Sequence, residues 1–324
     1  MIKLSTFALM KPRALVLSLL AMGSLSAHAE LTITPFFDTT ITSDPNALLI
    51  EAGINQAISR IEADISTTIT VKIDFKTMTS GLGQSSTYYN TLSYSKYRAD
   101  LVSHATSAND ATALSFLPST STNPVNGTST MDITTALLRA LGENALGNTG
   151  TNPDSTISLN TSIMNLSRTG AQNSSFYDLQ AVAAHEIDEV LDVGGPASNL
   201  PTSTSTTGDI GVMDLYRYSA NGVRSYTSSG SATSYFSING GATDLVDFNQ
   251  INGADYADWK TGSSPQVQDA FGTPGAQIDI GTNELTALDV VGYTLNVVPE
   301  PQNVALVLAG LLAIGARLRF RARA

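Results

Sequence analysis

The 324-residue chain has no cysteine, so a disulfide framework is excluded. Its stability must therefore come from a hydrophobic core. The roughly 270 residues between the two chain ends are enough for one large domain or two small ones. Charged residues are also sparse, at 14% of the chain, and the sequence shows no internal repeat.

Basic residues are scarce in the central part of the chain. Residues 1–29 hold three of them, and the tail from Pro299 holds four together with one acidic residue. The remainder carries 10 basic and 27 acidic residues, a net charge near −17. A surface this acidic argues against nucleic acid or anionic lipid as a partner and is compatible with Ca²⁺ binding.

Long apolar runs are missing as well, because none reaches the ~20 residues that a membrane-spanning helix needs. One shorter run, from Ala14 to Met22, follows three basic residues and precedes the small-residue sequence Ala27-His28-Ala29. This order is typical of a secretory signal peptide. We therefore expect residues 1–29 to be a signal that is cleaved after Ala29.

A second short run lies in the C-terminal segment, residues 297–324. Pro-Glu-Pro at 299–301 is followed by apolar residues from Val304 to Ala316 and by four arginines. This order resembles the PEP-CTERM sorting signal of Gram-negative bacteria. The resemblance implies transient membrane anchoring with the arginines in the cytoplasm, removal of the tail by an exosortase, and a final location at the cell surface or in the extracellular matrix. The alternative is a plain C-terminal anchor, for which the run is short.

Residues 30–296 show both strand and helix periodicities without regular alternation, which predicts one α+β domain with a loop-rich C-terminal part. A Gly/Ser loop after residue 77 is expected to lead to an edge strand near residues 79–95. Predicted strands cover 31–38, 68–76 and 155–167, and predicted helices cover 46–66, 96–105, 131–142 and 178–193.

Residues 178–195, DLQAVAAHEIDEVLDVGG, predict an amphipathic helix, because apolar residues recur every three or four positions along one broad side. Ser175 is the expected N-cap, and Gly194 is expected to follow the last turn. The side expected to face the core contains Leu179, Val182, Ala183, Ile187, Val190 and Leu191.

The polar side of this helix carries a candidate metal site. His185 and Glu189 lie one turn apart, so both side chains can bind one ion. Glu186 lies about 100° around the axis, where its carboxylate reaches the ion's water without binding the ion. The pattern predicts metal-dependent hydrolysis with Glu186 as the general base. The alternative is an ordinary solvated acidic helix, but after residue 29 only His104 and His185 remain, and one of them falls in this pattern.

This helix resembles the active-site helix of metzincin peptidases such as the matrixins, whose pattern is near D-L-x-x-V-A-x-H-E-I-G-H-x-L-G-L-G-H. Among the positions that depart from it, Glu189 replaces the second histidine, Asp192 a glycine and Gly195 the third histidine. The resemblance implies a zincin-like fold with a twisted mixed sheet packed on the active-site helix, a zinc ion, and a protein or peptide substrate. The matching residues are Asp178, Leu179, Val182, Ala183, His185, Glu186, Ile187, Leu191 and Gly194.

The chain as a whole is similar to metalloproteases that combine an HExxE helix with a PEP-CTERM tail. The similarity implies an exported zinc-dependent metalloendopeptidase whose substrate adds along the edge strand near residues 79–95. The alternative is a non-catalytic matrix or surface protein that retains a metal-stabilised scaffold. The supporting stretches are HEIDEVL (185–191), DLYRYSANGVRSY (214–226), YFSINGGATDL (235–245) and NELTALDVVGY (283–293).

The third metal ligand has several candidates, because Gly195 has no side chain to supply. Asp214 is favoured, since an acidic third ligand follows the active-site helix at a comparable distance in other zinc peptidases. Asp192 lies about 10 Å along the helix axis from His185, and His104 has no motif around it. One histidine and two carboxylates would neutralise Zn²⁺, so we expect a less acidic bound water and activity shifted to alkaline pH. Such an oxygen-rich set also tolerates Ca²⁺ or Mn²⁺ better.

Overall fold

Helices and strands follow one another irregularly in the computed structural model, which describes residues 30–143, 152–195, 200 and 210–296. The predicted α+β class is confirmed. The predicted signal peptide (1–29) and sorting segment (297–324) lie outside the described residues. Within the described residues, no helix combines the length and the apolar character needed to cross a membrane.

The elements of the described residues are as follows. The helices are α1 (Thr39–Thr42), α2 (Ala47–Asp64), α3 (Tyr94–His104), α4 (Ala108–Ser115), α5 (Thr135–Ala140), α6 (Leu179–Val190) and α7 (Thr282–Val291). The strands are β1 (Thr32–Phe37), β2 (Thr70–Thr77), β3 (Gly83–Thr87), β4 (Tyr89–Ser93), β5 (Thr130–Thr134), β6 (Ser155–Leu159), β7 (Met164–Asn165), β8 (Tyr177–Asp178), β9 (Arg217–Ala220), β10 (Val223–Arg224), β11 (Tyr235–Phe236) and β12 (Val246–Asp247).

The main sheet has the strand order β1-β2-β6-β3 and is mixed, as predicted. The first three strands are parallel, and β3 runs antiparallel to β6 at the edge. Alternation in β2 buries Val71, Ile73 and Phe75 on one face. The helices α2 and α6 pack against each other, and α6 also contacts β6 and β3.

The helix predicted over residues 131–142 is only half correct. Residues 130–134 form β5, which pairs antiparallel with β4, and only Thr135–Ala140 is helical. Thr134 separates the two elements because its backbone is extended and its side chain accepts a hydrogen bond from the Leu137 amide as an N-cap. The pairing also removes β4 from the main sheet, so the exposed edge strand is β3 alone rather than the whole range 79–95.

Helix α6 begins later than Ser175, the predicted N-cap. Tyr177 and Asp178 are still extended as β8, which pairs with β7, so the helix cannot begin before them. Asp178 is the N-cap, and its Oδ2 accepts a hydrogen bond from the Ala181 amide at 3.2 Å. The predicted apolar side is buried throughout, which fixes the rotation of the helix and the direction of its polar side chains.

The C-terminal part consists of short strands and long connections, as predicted. The strands β10-β9-β11-β12 form a small sheet beside the chain's single tryptophan, Trp259, which is fully buried. Phe236 and Phe248 pack on its ring with centroid distances of 5.4 and 5.2 Å. This aromatic cluster fixes the segment around Trp259 against the rest of the domain.

Candidate metal centre

Three side chains converge beside α6. His185 and Glu189 come from the helix, and Asp258 comes from the loop that precedes Trp259. One potential ligand atom from each lies within 4.8 Å of the other two. The Nε2 atom of His185 is 3.5 Å from Glu189 Oε1 and 3.7 Å from Asp258 Oδ2.

The ring of His185 is oriented by the backbone. Its Nδ1–H donates to the carbonyl oxygen of Val267 at 2.9 Å. Because a carbonyl only accepts, Nδ1 carries a proton, and in the neutral ring the lone pair is on Nε2, the nitrogen that faces the two carboxylates. A metal-binding histidine is usually supported by such a hydrogen bond from the ring nitrogen that does not bind the metal.

Each carboxylate accepts hydrogen bonds from the protein with one oxygen, and its other oxygen faces His185. Ser85 in β3 donates its hydroxyl to Glu189 Oε2 at 2.5 Å. The Gly195 amide and Gln268 Nε2 donate to Asp258 Oδ1 at 2.8 and 2.9 Å. The oxygens that remain, Glu189 Oε1 and Asp258 Oδ2, are the ones within 3.7 Å of the histidine nitrogen.

This donor set fits one small divalent cation. Bond lengths of 2.0–2.2 Å in a tetrahedral zinc site place neighbouring ligand atoms about 3.4 Å apart. The measured nitrogen–oxygen separations of 3.5 and 3.7 Å are close to that value. Ca²⁺ is less suited, because it takes six to eight oxygen ligands and does not favour imidazole.

Glu186 lies next to this group and is 4% exposed. Its Oε2 has no hydrogen-bond partner among the described residues. A Cβ atom at Gly83 in β3 would stand 2.2 Å from its Oε1, so the carboxylate occupies space that only a glycine leaves open. The edge strand therefore positions both glutamates of the helix, Glu189 through Ser85 and Glu186 through Gly83.

Burial and mutual repulsion shift the ionisation of these groups. Burial raises the pKa of Asp258 to about 7, with His185 opposing the shift and Glu189 adding to it. Burial and the neighbouring Glu189 raise the pKa of Glu186 well above its usual value. Burial lowers the pKa of His185, but Asp258 and Glu189 outweigh that effect and raise it well above the usual value. A divalent cation would relieve this repulsion, because it favours the ionised carboxylates and neutral imidazole.

The favoured third ligand, Asp214, is not a member of this group, and Asp258 stands in its place. Asp214 lies in the 3₁₀ turn Val212–Tyr216, where its Oδ2 accepts a hydrogen bond from the Gly211 amide at 3.1 Å. Its role there is a turn cap, because the short turn needs an acceptor for that amide.

The other two candidates are also outside the group. Asp192 Oδ2 accepts a hydrogen bond from the Thr134 amide at 2.8 Å, below the end of α6. His104 ends α3, and its Nδ1 is bonded to the Asp100 carbonyl at 2.9 Å. Neither side chain joins His185 and Glu189 in the only metal-capable group found among the described residues.

Asp258 contacts the turn that follows α6, where its Oδ1 accepts the hydrogen bond from the Gly195 amide. Gly194 and Gly195 both have positive φ, 84° and 74°, so the chain turns sharply after α6. A Cβ at Gly194 would stand 2.7 Å from Asp258 Oδ1, and one at Gly195 would stand 3.1 Å from Glu189. Gly194 thus leaves room for Asp258, and Gly195 leaves room for Glu189. The Gly-Gly pair and the tryptophan after Asp258 are the signals from which this ligand was predictable.

The candidate metal centre opens into a cleft of about 710 Å³. The cleft is lined by residues 81–85, which include the first part of β3, and by residues 266–267 and 269–273. Leu82, Phe271 and Ile278 give the cleft an apolar lining, while His185, Glu186 and the two acidic ligands also line it. The cleft is large enough for several residues of an extended peptide.

No protein-family model matches the sequence, and neither a curated protein nor a solved structure matches the chain. The function is therefore inferred from the geometry of this centre together with the sequence resemblances.

Proposed function

We propose that this chain is an exported, zinc-dependent metalloendopeptidase with a zincin-like fold. The observation that carries the proposal is the arrangement of His185, Glu189 and Asp258. Each has one atom fixed by a hydrogen bond and a second atom directed at a common point beside a cleft. Three protein ligands and one open position are typical of catalytic rather than structural zinc sites.

His185 Nε2, Glu189 Oε1 and Asp258 Oδ2 would hold the zinc ion. When bound, the ion supplies a Lewis acid that polarises the scissile carbonyl and lowers the pKa of a water molecule. The supports from Ser85, Val267 and Gln268 hold these three side chains in place before any ion arrives. Preorganised ligands of this kind bind more tightly, because little side-chain freedom is lost on binding.

Glu186 is the proposed general base. Its carboxylate lines the cleft beside the candidate metal centre, and its Oε2 has no hydrogen-bond partner among the described residues. Glu186 would accept a proton from the attacking water and then pass that proton to the leaving amine.

The free edge of β3 is the proposed docking site for the peptide main chain. Strand β3 hydrogen-bonds β6 along one edge, and Gly83, Gln84 and Ser85 line the cleft. An extended peptide that pairs with the other edge would lie across the opening of the metal centre. Because Ser85 also supports Glu189, docking and metal ligation would share one rigid element.

We also propose export and surface sorting, on the basis of the two chain ends. The charged, apolar and small-residue order of residues 1–29 supports secretion. The Pro-Glu-Pro, apolar and arginine order of residues 297–324 supports transient anchoring and processing by an exosortase in a Gram-negative bacterium.

The test of the catalytic proposal is Glu186→Gln, which removes the base but preserves the size of the side chain. We expect zinc content and folding to persist and peptide cleavage to fall by about 10²–10⁴-fold, the usual effect of losing a general base. Cleavage of a denatured protein and of mixed peptides is measured from pH 6 to 9, with zinc and with a chelator.

Two outcomes would contradict the proposal. If the zinc-loaded wild type cleaves nothing over the whole pH range, the non-catalytic alternative, a surface or matrix protein with a metal-stabilised scaffold, becomes the better account. If Glu186→Gln cleaves as well as the wild type, Glu186 is not the base.

A further inference from the structure

The cleft beside the metal centre contains an acidic residue that the proposed mechanism does not use. Asp255 lies in the same loop as Asp258, lines the cleft and is half-buried. Within the described part of the chain its carboxylate has no hydrogen bond or ion pair. Burial, followed by the repulsion from Glu189, raises the pKa of Asp255 to about 6.

Two buried acids elsewhere in this protein are paired with arginines. Asp154 lies 2.7 Å from Arg139 Nη2, and Asp178 lies 2.6 Å from Arg168 Nη2. Removing a carboxylate from water without a partner is costly, so such groups are normally paired or bind a cation. Asp255 has no such arginine partner among the described residues, and it lines the cleft.

A second carboxylate in the cleft points to the same class of ligand. Asp269 lines the cleft and is 4% exposed, and its Oδ1 has no hydrogen-bond partner among the described residues. Its Oδ2 accepts a hydrogen bond from the Gln266 amide at 3.0 Å, which fixes the side chain in place. The described residues that line the cleft include no lysine and no arginine. Apart from His185 and the proposed metal ion, a positive charge for these two carboxylates would therefore come from the substrate.

The loop that carries Asp255 is held rigidly. The buried side chain of Asn249 donates to the Asp255 carbonyl at 3.0 Å and accepts from the Ile251 amide at 2.9 Å. Arg217 donates to the Tyr256 carbonyl at 2.8 Å. A carboxylate on a rigid loop loses little freedom when it binds a partner, which favours a specific contact over a transient one.

We infer that the cleft selects peptides with a lysine or arginine side chain close to the scissile bond, and that Asp255 is the carboxylate that binds it. The apolar lining formed by Leu82, Phe271 and Ile278 suits the aliphatic stem of such a side chain. This inference names the substrate class and rests on the proposed peptidase function.

The test uses fluorogenic peptides that are identical except for one residue, which is Lys, Gln or Glu at each of several positions around the cleavage site. For the zinc-loaded wild type we expect kcat/KM to be about 10–100-fold higher for Lys than for Gln at one position, as for a charge-assisted hydrogen bond. In Asp255→Asn this ratio should fall to near one while zinc content is unchanged. The matched control is Asp247→Asn, because Asp247 pairs with Lys260 at 2.9 Å and does not line the cleft.

Three results would overturn the inference: a wild type without preference for Lys, a preference that persists in Asp255→Asn, or a loss of zinc in Asp255→Asn. If no peptide is cleaved, the proposed peptidase function is wrong, but the preference for a basic side chain can still be tested by peptide binding. Fluorescence anisotropy of the labelled Lys and Gln peptides on Glu186→Gln, with and without Asp255→Asn, should show tighter binding of the Lys peptide that depends on Asp255. Equal binding of the two peptides would overturn the inference.

Discussion

At the scale of single residues, Ser85 is the contact that links β3, the proposed docking strand, to the candidate metal centre. Its hydroxyl lies 2.5 Å from Glu189 Oε2, and both groups are buried. Removal of the Ser85 hydroxyl would remove the hydrogen bond to Glu189 Oε2. The glutamate would then lose the restraint that directs its Oε1 toward His185. A side chain that orients a ligand in this way usually affects metal affinity rather than folding.

We therefore predict that Ser85→Ala weakens zinc affinity by about 10–100-fold, the range found when such supporting groups are removed. Ser85→Thr keeps the hydroxyl and should restore most of the affinity. Competition with a chromogenic chelator measures the dissociation constant. Ser86→Ala makes the same chemical change on the exposed, opposite face of β3 and should leave the affinity unchanged. Equal affinities for Ser85→Ala and Ser86→Ala would show that the hydrogen bond has no role in ligation.

At the scale of secondary-structure elements, the end of α6 contains a buried carboxyl group. Asp192 is 1% exposed and has a left-handed backbone, with φ of 72°. Its Oδ2 accepts from the Thr134 amide, but its Oδ1 has no hydrogen-bond partner among the described residues. Burial raises its pKa to about 7, although the bonds from Thr134 oppose the shift.

This raised pKa gives the stability of the protein a defined pH dependence. The unfolded chain releases the proton of Asp192 near pH 4, whereas the folded chain keeps it to about pH 7. Between these values the folded state binds more protons, so the contribution of Asp192 to stability falls as pH rises. The loss approaches about 1.4 kcal/mol per pH unit and ends above the folded pKa.

Asp192→Asn should remove this dependence, because asparagine does not titrate, still accepts from Thr134 and tolerates positive φ. We predict that the variant gains stability relative to the wild type by roughly 2 kcal/mol or more between pH 5 and pH 7. Urea unfolding in the presence of a chelator measures this difference without the contribution of a bound ion. A difference that does not change with pH, or that favours the wild type at pH 7, would contradict the burial of an ionisable group at this position.

The elements themselves differ in how far the sequence predicts them. The positions of β1, α2, β2 and α6 follow from local periodicity, because each places apolar residues on a single buried face. Residues 131–142 were predicted incorrectly because their strand part is stabilised by pairing with β4, which is a long-range contact. The start of α6 was placed too early for the same reason, since the pairing of β7 with β8 holds residues 177–178 extended.

At the scale of the whole molecule, the candidate metal centre joins distant parts of the chain. His185 and Glu189 are one turn apart and were predicted from the helix pattern. Asp258 was not predicted, because it comes from a loop without periodicity and is positioned by the turn at residues 194–195. Glu284 in α7 supports this loop by accepting hydrogen bonds from Trp259 Nε1 and the Gln268 amide, each at 3.2 Å.

The central claim is that Asp258, rather than Asp214, completes the metal centre. The most direct test is zinc affinity, measured by chelator competition and metal analysis, for the wild type, Asp258→Asn and Asp214→Asn. Both substitutions remove one charge and keep an oxygen that accepts the local hydrogen bonds. We predict that Asp258→Asn loses at least about 100-fold in affinity, as expected when an anionic ligand is lost rather than a supporting group, and that Asp214→Asn binds zinc like the wild type. Zinc binding that survives Asp258→Asn but is lost in Asp214→Asn would contradict the account.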